Sequence, residues 1–366
     1  MGRHDQMTRP RDRSLDALRA LATVRVVLFH ATGSAKWSWV AAMPVMFFVG
    51  GALFAQSLER HAPIDVLRTR LRRIMVPTWA FTAVVFIAYT AAGVWGEVPR
   101  WGIPGFIVPI MPAVGPRTVD GPMYWTWMAL WYINAYVLFM LVGVPLRRLH
   151  QRFPHMVLAL LALPVLISGL LRQPGFGLLG YLVFWVLGYS FHDRRRSLPD
   201  RRTCFIVGGV CMGIGVAYAA AFTGFSMALS SEPFVDTAVG LAWIAAAVGA
   251  APMIEAVVAL RPVDIIVTWV QQRALTIYLW HTLAVAVARS WATDAAGLGS
   301  SSVVQVVEVF AITFAFTLGL GWIEDLAAKR PARLIPLVTV DPIGVDLRER
   351  INLRTERESL RDPAPP

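Results

Sequence analysis

Three ionisable side chains in the first apolar stretch of the sequence have types and spacing that suit acid–base chemistry. Arg19 and His30 are eleven residues apart, which on a helix is three turns plus about 20°, so both side chains share one face. The helical rise separates them by about 16 Å. Asp16 lies one turn before Arg19, where it can pair with the guanidinium. Imidazole is the side chain best suited to take a proton from a hydroxyl near neutral pH.

A second basic element follows, in which Arg70 and Arg73 belong to a run that ends in Pro77, at the predicted start of the third apolar helix. Arginine forks bind phosphates bidentately, and a helix N-terminus adds a favourable dipole. A long, multiply anionic molecule such as a coenzyme A thioester would place its phosphates at Arg19 and its reactive end at His30. The structural alternative is a histidine hydrogen-bonded within a bundle and arginines that reach the headgroups or fix topology.

The composition shows what kind of scaffold must position these groups. The chain has 366 residues, of which 56% are hydrophobic and only 16% charged, with a mean hydropathy of +0.56. Soluble domains carry about 25% charged residues. The apolar segments are long enough to cross a bilayer core of about 30 Å, and they lack the alternation of barrel strands. We therefore predict an all-α fold, a polytopic membrane helical bundle.

The charged clusters divide the chain into ten predicted transmembrane helices, with both termini in the cytoplasm. This orientation puts 27 of the 34 Lys and Arg residues in cytoplasmic segments, as the positive-inside rule requires. The net charge of +11 is therefore mostly a topological signal, and we expect no nucleic-acid partner. The predicted spans are 17–34, 38–57, 75–95, 123–144, 156–171, 175–191, 204–223, 236–259, 274–291 and 302–323.

The same pattern predicts three regions along the chain. Residues 1–16 form a basic cytoplasmic N-terminus, and 17–325 form the transmembrane unit. Residues 326–366 form a cytoplasmic tail, partly disordered because its end is charged and rich in proline. We expect a multi-pass protein of the plasma membrane, in contact with membrane lipid.

Several motifs resemble the acyltransferase 3 family of membrane acyltransferases. That family's first helix carries a basic residue, ten intervening residues and a histidine, which Arg19 and His30 match. Two arginines separated by two residues and followed by a hydrophobic pair and proline match Arg70 and Arg73. Gly50 is a departure, since the family usually has serine there, and Arg25 is an extra charge on a different face from His30. Further matches are Phe47–Gly51, Leu130–Ile133 and Leu275–His281, and the resemblance covers about residues 13 to 330.

The resemblance implies O-acylation of a hydroxyl acceptor, most often with an acetyl group from acetyl-CoA. The donor would enter from the cytoplasm and bind Arg19, Arg70 and Arg73, as a co-substrate rather than a permanently bound cofactor. His30 would act as general base or accept the acyl group itself, and we favour the base. The acceptor would be a cell-envelope glycan, a glycolipid or a secondary-metabolite sugar.

Asp16 and two residues of the ninth predicted helix, Tyr278 and His281, are candidates for substrate positioning, with packing as the alternative. We expect no metal site. An organic-anion transporter is the rival class, in which the same arginines bind the anion and His30 couples transport to protons.

Overall fold

The computed structural model describes residues 12–92, 130–172, 177–195, 197–223, 225, 229, 232–294 and 302–335. Within these residues the chain is all-α and contains no β-strand. The α-helices are α1 (Arg13–Thr32), α2 (Met43–Arg60), α3 (Pro63–Ala92), α4 (Leu130–Arg152), α5 (Pro154–Leu171), α6 (Gly177–Asp193), α7 (Arg201–Tyr218), α8 (Pro233–Gly249), α9 (Ala251–Val258), α10 (Arg261–Gln272), α11 (Ala274–Asp294), α12 (Ser302–Leu320) and α13 (Trp322–Ala327).

The first helix begins at Arg13, four residues before the predicted span. Asp12 caps it, because its carboxylate accepts hydrogen bonds from the backbone N–H groups of Ser14 and Leu15 and so satisfies donors that a helix start leaves unpaired. The helix ends at Gly33, whose φ of 62° is left-handed, as is common at a helix C-terminus. Helix α1 packs against α2, α9, α10, α11 and α12, which puts its functional residues inside the bundle.

The third helix differs most from its prediction. It begins at Pro63 and contains Pro77 in its interior, so Arg70 and Arg73 lie within the helix and not before its N-terminus. The residues before Pro77 are mostly good helix formers, and an interior proline is tolerated where neighbouring helices compensate for the lost hydrogen bond. The prediction that a helix N-terminal dipole assists these arginines is therefore wrong. Arg70 and Arg73, three residues apart, instead lie close together on one side of a continuous helix.

The predicted eighth span and the loop after it are also more structured than expected. Helices α8 and α9 meet at a bend of 66°, and Pro252 lies in the first turn of α9, where its missing N–H costs nothing. The segment after α9, predicted as a loop, forms α10, with Ile265 and Ile266 exposed on one face. An amphipathic helix of this kind suits the membrane interface.

The bundle is that of a membrane protein. Among the described residues, five helices are long and apolar enough to cross a membrane, and six if the bent pair α8–α9 is one span. Each of the ten predicted spans overlaps a helix, but α1 and α3 carry several charges and α6 has 17 residues. The all-α membrane fold is confirmed, while the number ten and the cytoplasmic termini stay predictions.

The boundary predicted between the membrane unit and the tail, 325/326, falls inside α13. Asp325 on this helix pairs with the fully buried Arg273 at 2.8 Å and with Arg330 at 3.0 Å, so the start of the tail is fixed to α11's N-terminal end. The predicted disorder at the end of the tail falls on residues 336–366, outside the described part of the chain.

Close contact between α2 and α6 builds the centre of the bundle. A Cβ at Gly51 would lie 2.0 Å from the carbonyl oxygen of Trp185, and one at Gly188 would lie 2.3 Å from that of Phe48. Only glycine permits the two backbones to approach this closely. Phe47 and Trp185, both fully buried, lie on these two helices and belong to the same hydrophobic core.

Candidate active site

A large cavity brings together the arginines that the sequence singled out. Its volume is about 790 Å³, and its lining includes Arg19 from α1 together with Arg70 and Arg73 from α3. Arg60, Arg195 and Arg330 also line it, so basic groups surround it from several elements. We call it the arginine cavity. Such a concentration of guanidinium groups is suited to a multiply anionic ligand.

The three predicted donor-binding arginines differ in how the protein holds them. Arg70 donates hydrogen bonds to the Leu53 carbonyl at 2.7 Å, the Ser57 hydroxyl at 2.9 Å and the Tyr136 hydroxyl at 3.2 Å. By contrast, neither Arg19 nor Arg73 makes a hydrogen bond or ion pair with another described residue, and both face the cavity. Arg70 therefore ties α3 to α2 and α4, and the donors of Arg19 and Arg73 remain for a ligand.

Four carboxylates also line the arginine cavity, those of Asp12, Asp16, Asp65 and Glu324, and the last of these and Asp16 hold helices in place. Asp16 accepts a hydrogen bond from the Gln271 amide at 2.6 Å and interacts with Arg13 at 3.4 Å, so it joins α1 to α10 rather than serving Arg19 alone. Glu324 was assigned no role from the sequence. Its carboxylate accepts hydrogen bonds from the Thr276 backbone N–H and hydroxyl, each at 2.6 Å, and so positions the first turn of α11.

A narrow extension of about 90 Å³ continues from the arginine cavity into the bundle. Arg19 lines both, while Tyr278 lines the extension at its inner end; we call it the neck. Gly50 is part of its wall. A Cβ at Gly50 would lie 2.9 Å from the Tyr136 ring and 3.0 Å from the Trp185 ring, so these rings occupy the space that the family's serine would take.

His30 and His281 form a buried pair at the centre of the bundle. His30 Nδ1 lies 2.7 Å from His281 Nε2, while His281 Nδ1 lies 2.6 Å from the Tyr278 carbonyl oxygen. Because a carbonyl only accepts, His281 Nδ1 carries its proton, and His281 Nε2 accepts from His30 Nδ1–H when both rings are neutral. This hydrogen-bond chain makes Nε2 the basic nitrogen of His30.

A third cavity, of about 150 Å³, lies on the His30 side of Tyr278. Its lining includes Arg25, His30, Tyr181, Asp236 and Tyr278, and we call it the His30 cavity. Tyr278 lines both this cavity and the neck. The arginine cavity, the neck and the His30 cavity therefore adjoin one another in the bundle, with Arg19 and Tyr278 as shared wall residues.

Arg25 shows that the face of a helix on which a residue lies does not decide which cavity its side chain lines. Its Cα lies on a different face of α1 from that of His30, yet its long side chain lines the same cavity and stacks on Phe29 with 5.2 Å between guanidinium carbon and ring centroid. Asp236 and Tyr181 were missed altogether. The available signal was an acidic residue at the start of an apolar span, which marks a functional site by default.

One group of described side chains brings three potential metal ligands together. Glu59, His192 and Asp193 place ligand atoms within 4.8 Å of one another. However, His192 already contacts Glu59 at 2.9 Å and Arg147 pairs with Asp193, which makes the group an ion-pair network between α2, α4 and α6. The absence of a metal from the reaction stays a prediction.

A comparison with protein families identifies the chain. The family model described as an acyltransferase domain, that of the acyltransferase 3 family, matches residues 12–323, which include the whole lining of the neck and of the His30 cavity. Searches of curated proteins and of solved structures gave no match. The family match supports an acyltransferase and gives no support to the transporter interpretation. The chain belongs to the acyltransferase 3 family and is a membrane acyltransferase.

Proposed function

We propose that this protein transfers an acetyl group from acetyl-CoA to a hydroxyl of a carbohydrate or related acceptor at the plasma membrane. The observation that carries the proposal is the series of three adjoining cavities, which runs from guanidinium groups without a partner among the described residues, past a neck, to a histidine. A passage of this kind serves a donor with an anionic head and a reactive tail.

The donor binds with its phosphates in the arginine cavity. Arg19 and Arg73 have their donors available there, and Arg70 supports the wall while adding positive charge. The acyl arm extends through the neck toward Tyr278, along the roughly 16 Å of helix that separates Arg19 from His30. Binding energy gathered at the phosphates thus holds the thioester near the histidine.

The chemistry takes place at His30. Its Nε2 removes the proton of the acceptor hydroxyl as the oxygen attacks the thioester carbonyl, and the thiolate of coenzyme A then leaves with the proton that His30 returns. His281 accepts the hydrogen bond from His30 Nδ1–H and so holds the ring in the required tautomer, a role like that of the third member of a catalytic triad. This arrangement favours the base over the acyl-carrier role, because it supplies the partner that a base requires.

We propose further that ten helices span the membrane with both termini in the cytoplasm, so that the arginine cavity opens to the cytoplasmic acetyl-CoA. Single cysteines at Asp65 and Ser197 should resist an impermeant thiol reagent in intact cells, while one at Lys36, an exposed residue of the predicted outer loop between the first two spans, should react. Labelling at Ser197 from outside would contradict the topology.

Purified protein incubated with radiolabelled acetyl-CoA and an extract of cell-envelope glycans and glycolipids tests the activity. We expect label in an acceptor of the extract and an equal amount of free coenzyme A. Uptake of label into proteoliposomes without any covalent product would contradict acyl transfer.

A further inference from the structure

Three polar residues of the His30 cavity take no part in the chemistry proposed above. Arg25 comes from α1, Tyr181 from α6 and Asp236 from the first turn of α8. The Tyr181 hydroxyl and the Asp236 carboxylate lie near each other in the lining of this cavity, and Arg25 lies near enough to both to interact electrostatically. Buried polar groups contributed by three separate helices are costly to assemble, and here all of them face the cavity that contains His30.

We propose that Arg25, Tyr181 and Asp236 form the acceptor-binding subsite, which takes a neutral unit with neighbouring hydroxyl groups. This inference rests on the proposed acyl transfer and assigns its second substrate a place in the bundle. One hydroxyl of the acceptor faces His30 Nε2, and a neighbouring hydroxyl donates to the Asp236 carboxylate.

The charges of the subsite favour a neutral ligand. The cavity lining contains one guanidinium and one carboxylate, Arg25 and Asp236, which balance each other. A carboxylate or phosphate on the acceptor would be repelled by Asp236, and an ammonium group would be repelled by Arg25. Hydroxyl groups can satisfy both residues, since they donate to a carboxylate and accept from a guanidinium.

The Arg25 side chain also has a hydrogen-bond donor that a bound acceptor molecule would satisfy. Its Nε is buried and makes no hydrogen bond within the described residues, although buried donors are nearly always paired. A hydroxyl or ring oxygen of a bound acceptor supplies the acceptor atom that this donor lacks.

The remaining walls suit the carbon face of a sugar-like unit. Trp131 and Tyr181 pack with their ring centroids 5.3 Å apart, and Phe29 and Tyr278 complete an aromatic lining. Aromatic rings offer apolar surface without requiring polar partners across their faces. Tyr278 lines both this chamber and the neck, so donor and acceptor meet beside one ring.

The test measures kinetics for each substrate separately, with radiolabelled acetyl-CoA and the cell-envelope extract as acceptor. Asp236→Asn keeps the size of the side chain and removes its charge. We expect it to raise the apparent KM for the extract about 10- to 100-fold, the loss that follows a weakened charge-assisted hydrogen bond, with acetyl-CoA binding within about twofold of the parent protein's. Asp200→Asn is the matched control, because Asp200 is an exposed helix cap far from the cavity and asparagine caps equally well.

Tyr181→Phe provides a second, milder variant should Asp236→Asn fail to fold. It should raise the KM for the extract about 3- to 10-fold, whereas Tyr218→Phe, which loses a hydrogen bond to the Gly169 carbonyl elsewhere in the bundle, should not. The label on the product should be released by mild alkali, as an ester of a hydroxyl is.

Each failure has its own signature. If the parent protein transfers no label at all, the proposed function fails and the subsite fails with it. If the parent transfers label but Asp236→Asn and Tyr181→Phe keep the parental KM for the extract, only the subsite is overturned. An alkali-stable label would also overturn it, since it would show an amide formed on an amine.

Discussion

The arginine cavity and the His30 cavity handle their charged groups in opposite ways. In the first, which is about 790 Å³ in volume, Arg19 and Arg73 make no hydrogen bond or ion pair with described residues. In the second, whose volume is about 150 Å³, Arg25 faces Asp236, and His30 is hydrogen-bonded to His281. The first has charge to offer a ligand, and the second has its charges balanced and its imidazole oriented.

This difference indicates which cavity provides the affinity for the donor and which one carries out the reaction. Guanidinium groups in a wide cavity attract an anionic donor, but water and salt screen them. A small enclosed chamber strengthens every electrostatic interaction within it and holds its groups in place before the reaction begins. Substitutions in the first chamber should therefore change binding of the donor, and substitutions in the second should change binding of the acceptor or the rate of transfer.

The largest effect is expected at His30. His30→Ala should lower the rate of acetyl transfer about 10²–10⁴-fold, the usual loss on removing a general base, while acetyl-CoA binds as in the parent protein. Steady-state transfer and equilibrium binding on the same preparation measure both quantities. Thr32→Ala is the control, because it removes only local hydrogen bonds at the end of α1, to the Leu28 and Phe29 carbonyls and from the Ser34 N–H. Retention of more than about a tenth of parental transfer would show that His30 is not the base.

His281 should have the next largest effect, through the orientation of His30. His281→Ala removes the acceptor of the His30 Nδ1–H bond, and kcat should fall about 10²-fold with both KM values nearly unchanged. Thr282→Ala is a control on the same helix, since Thr282 is equally buried and bonds only locally to the Leu279 carbonyl. A raised KM with parental kcat would instead indicate that His281 binds substrate.

In the arginine cavity, Arg73→Ala should weaken donor binding and leave the chemical step intact. A charge-assisted hydrogen bond contributes about 1.5–3 kcal/mol, so the KM for acetyl-CoA should rise about 10- to 100-fold. Arg68→Ala is the control, because Arg68 is exposed on the same helix outside the cavity. Equal KM values for the two variants would make Arg73 only a topological charge.

The smallest effect on activity, though not on stability, is expected at the close contact between α2 and α6. Gly51→Ala should lower the thermal unfolding temperature, because its Cβ would lie 2.0 Å from the Trp185 carbonyl oxygen and overpacking costs about 1–3 kcal/mol or more. Gly209→Ala, with nothing within 4 Å, should instead be neutral or stabilising by about 0.5–1 kcal/mol. Equal unfolding temperatures would show that α2 and α6 can separate without cost.

Much of this arrangement was predictable from the sequence, for identifiable reasons. The spacing of Arg19 and His30 predicts one helical face, and apolar length predicts helices because a bilayer leaves the backbone few alternatives. Residue spacing could not show that Arg70 is tied down by Leu53 and Ser57 while Arg73 is not. That distinction depends on how α2 and α3 pack.

The features that the sequence did not predict all depend on contacts between distant elements. The pairing of His30 with His281 joins residues 251 positions apart, and no local pattern specifies it. Asp236 enters the His30 cavity because α8 packs against α2 and α6. The helical start of α3 was missed because Pro77 was taken as a helix boundary, although a bundle can compensate for an interior proline.

The central claim is that the acyl end of the donor reaches His30 through the neck. It is tested most directly by photolabelling with a coenzyme A thioester whose acyl group carries a diazirine. After irradiation and peptide mass spectrometry, we expect crosslinks near Tyr278 on α11 and on α1 between Arg19 and His30, all suppressed by excess acetyl-CoA. That pattern would show phosphates held in the arginine cavity with the acyl end delivered through the neck. Competable crosslinks confined to the arginine cavity or to lipid-facing helices would contradict the account, since the reactive end would then never reach His30.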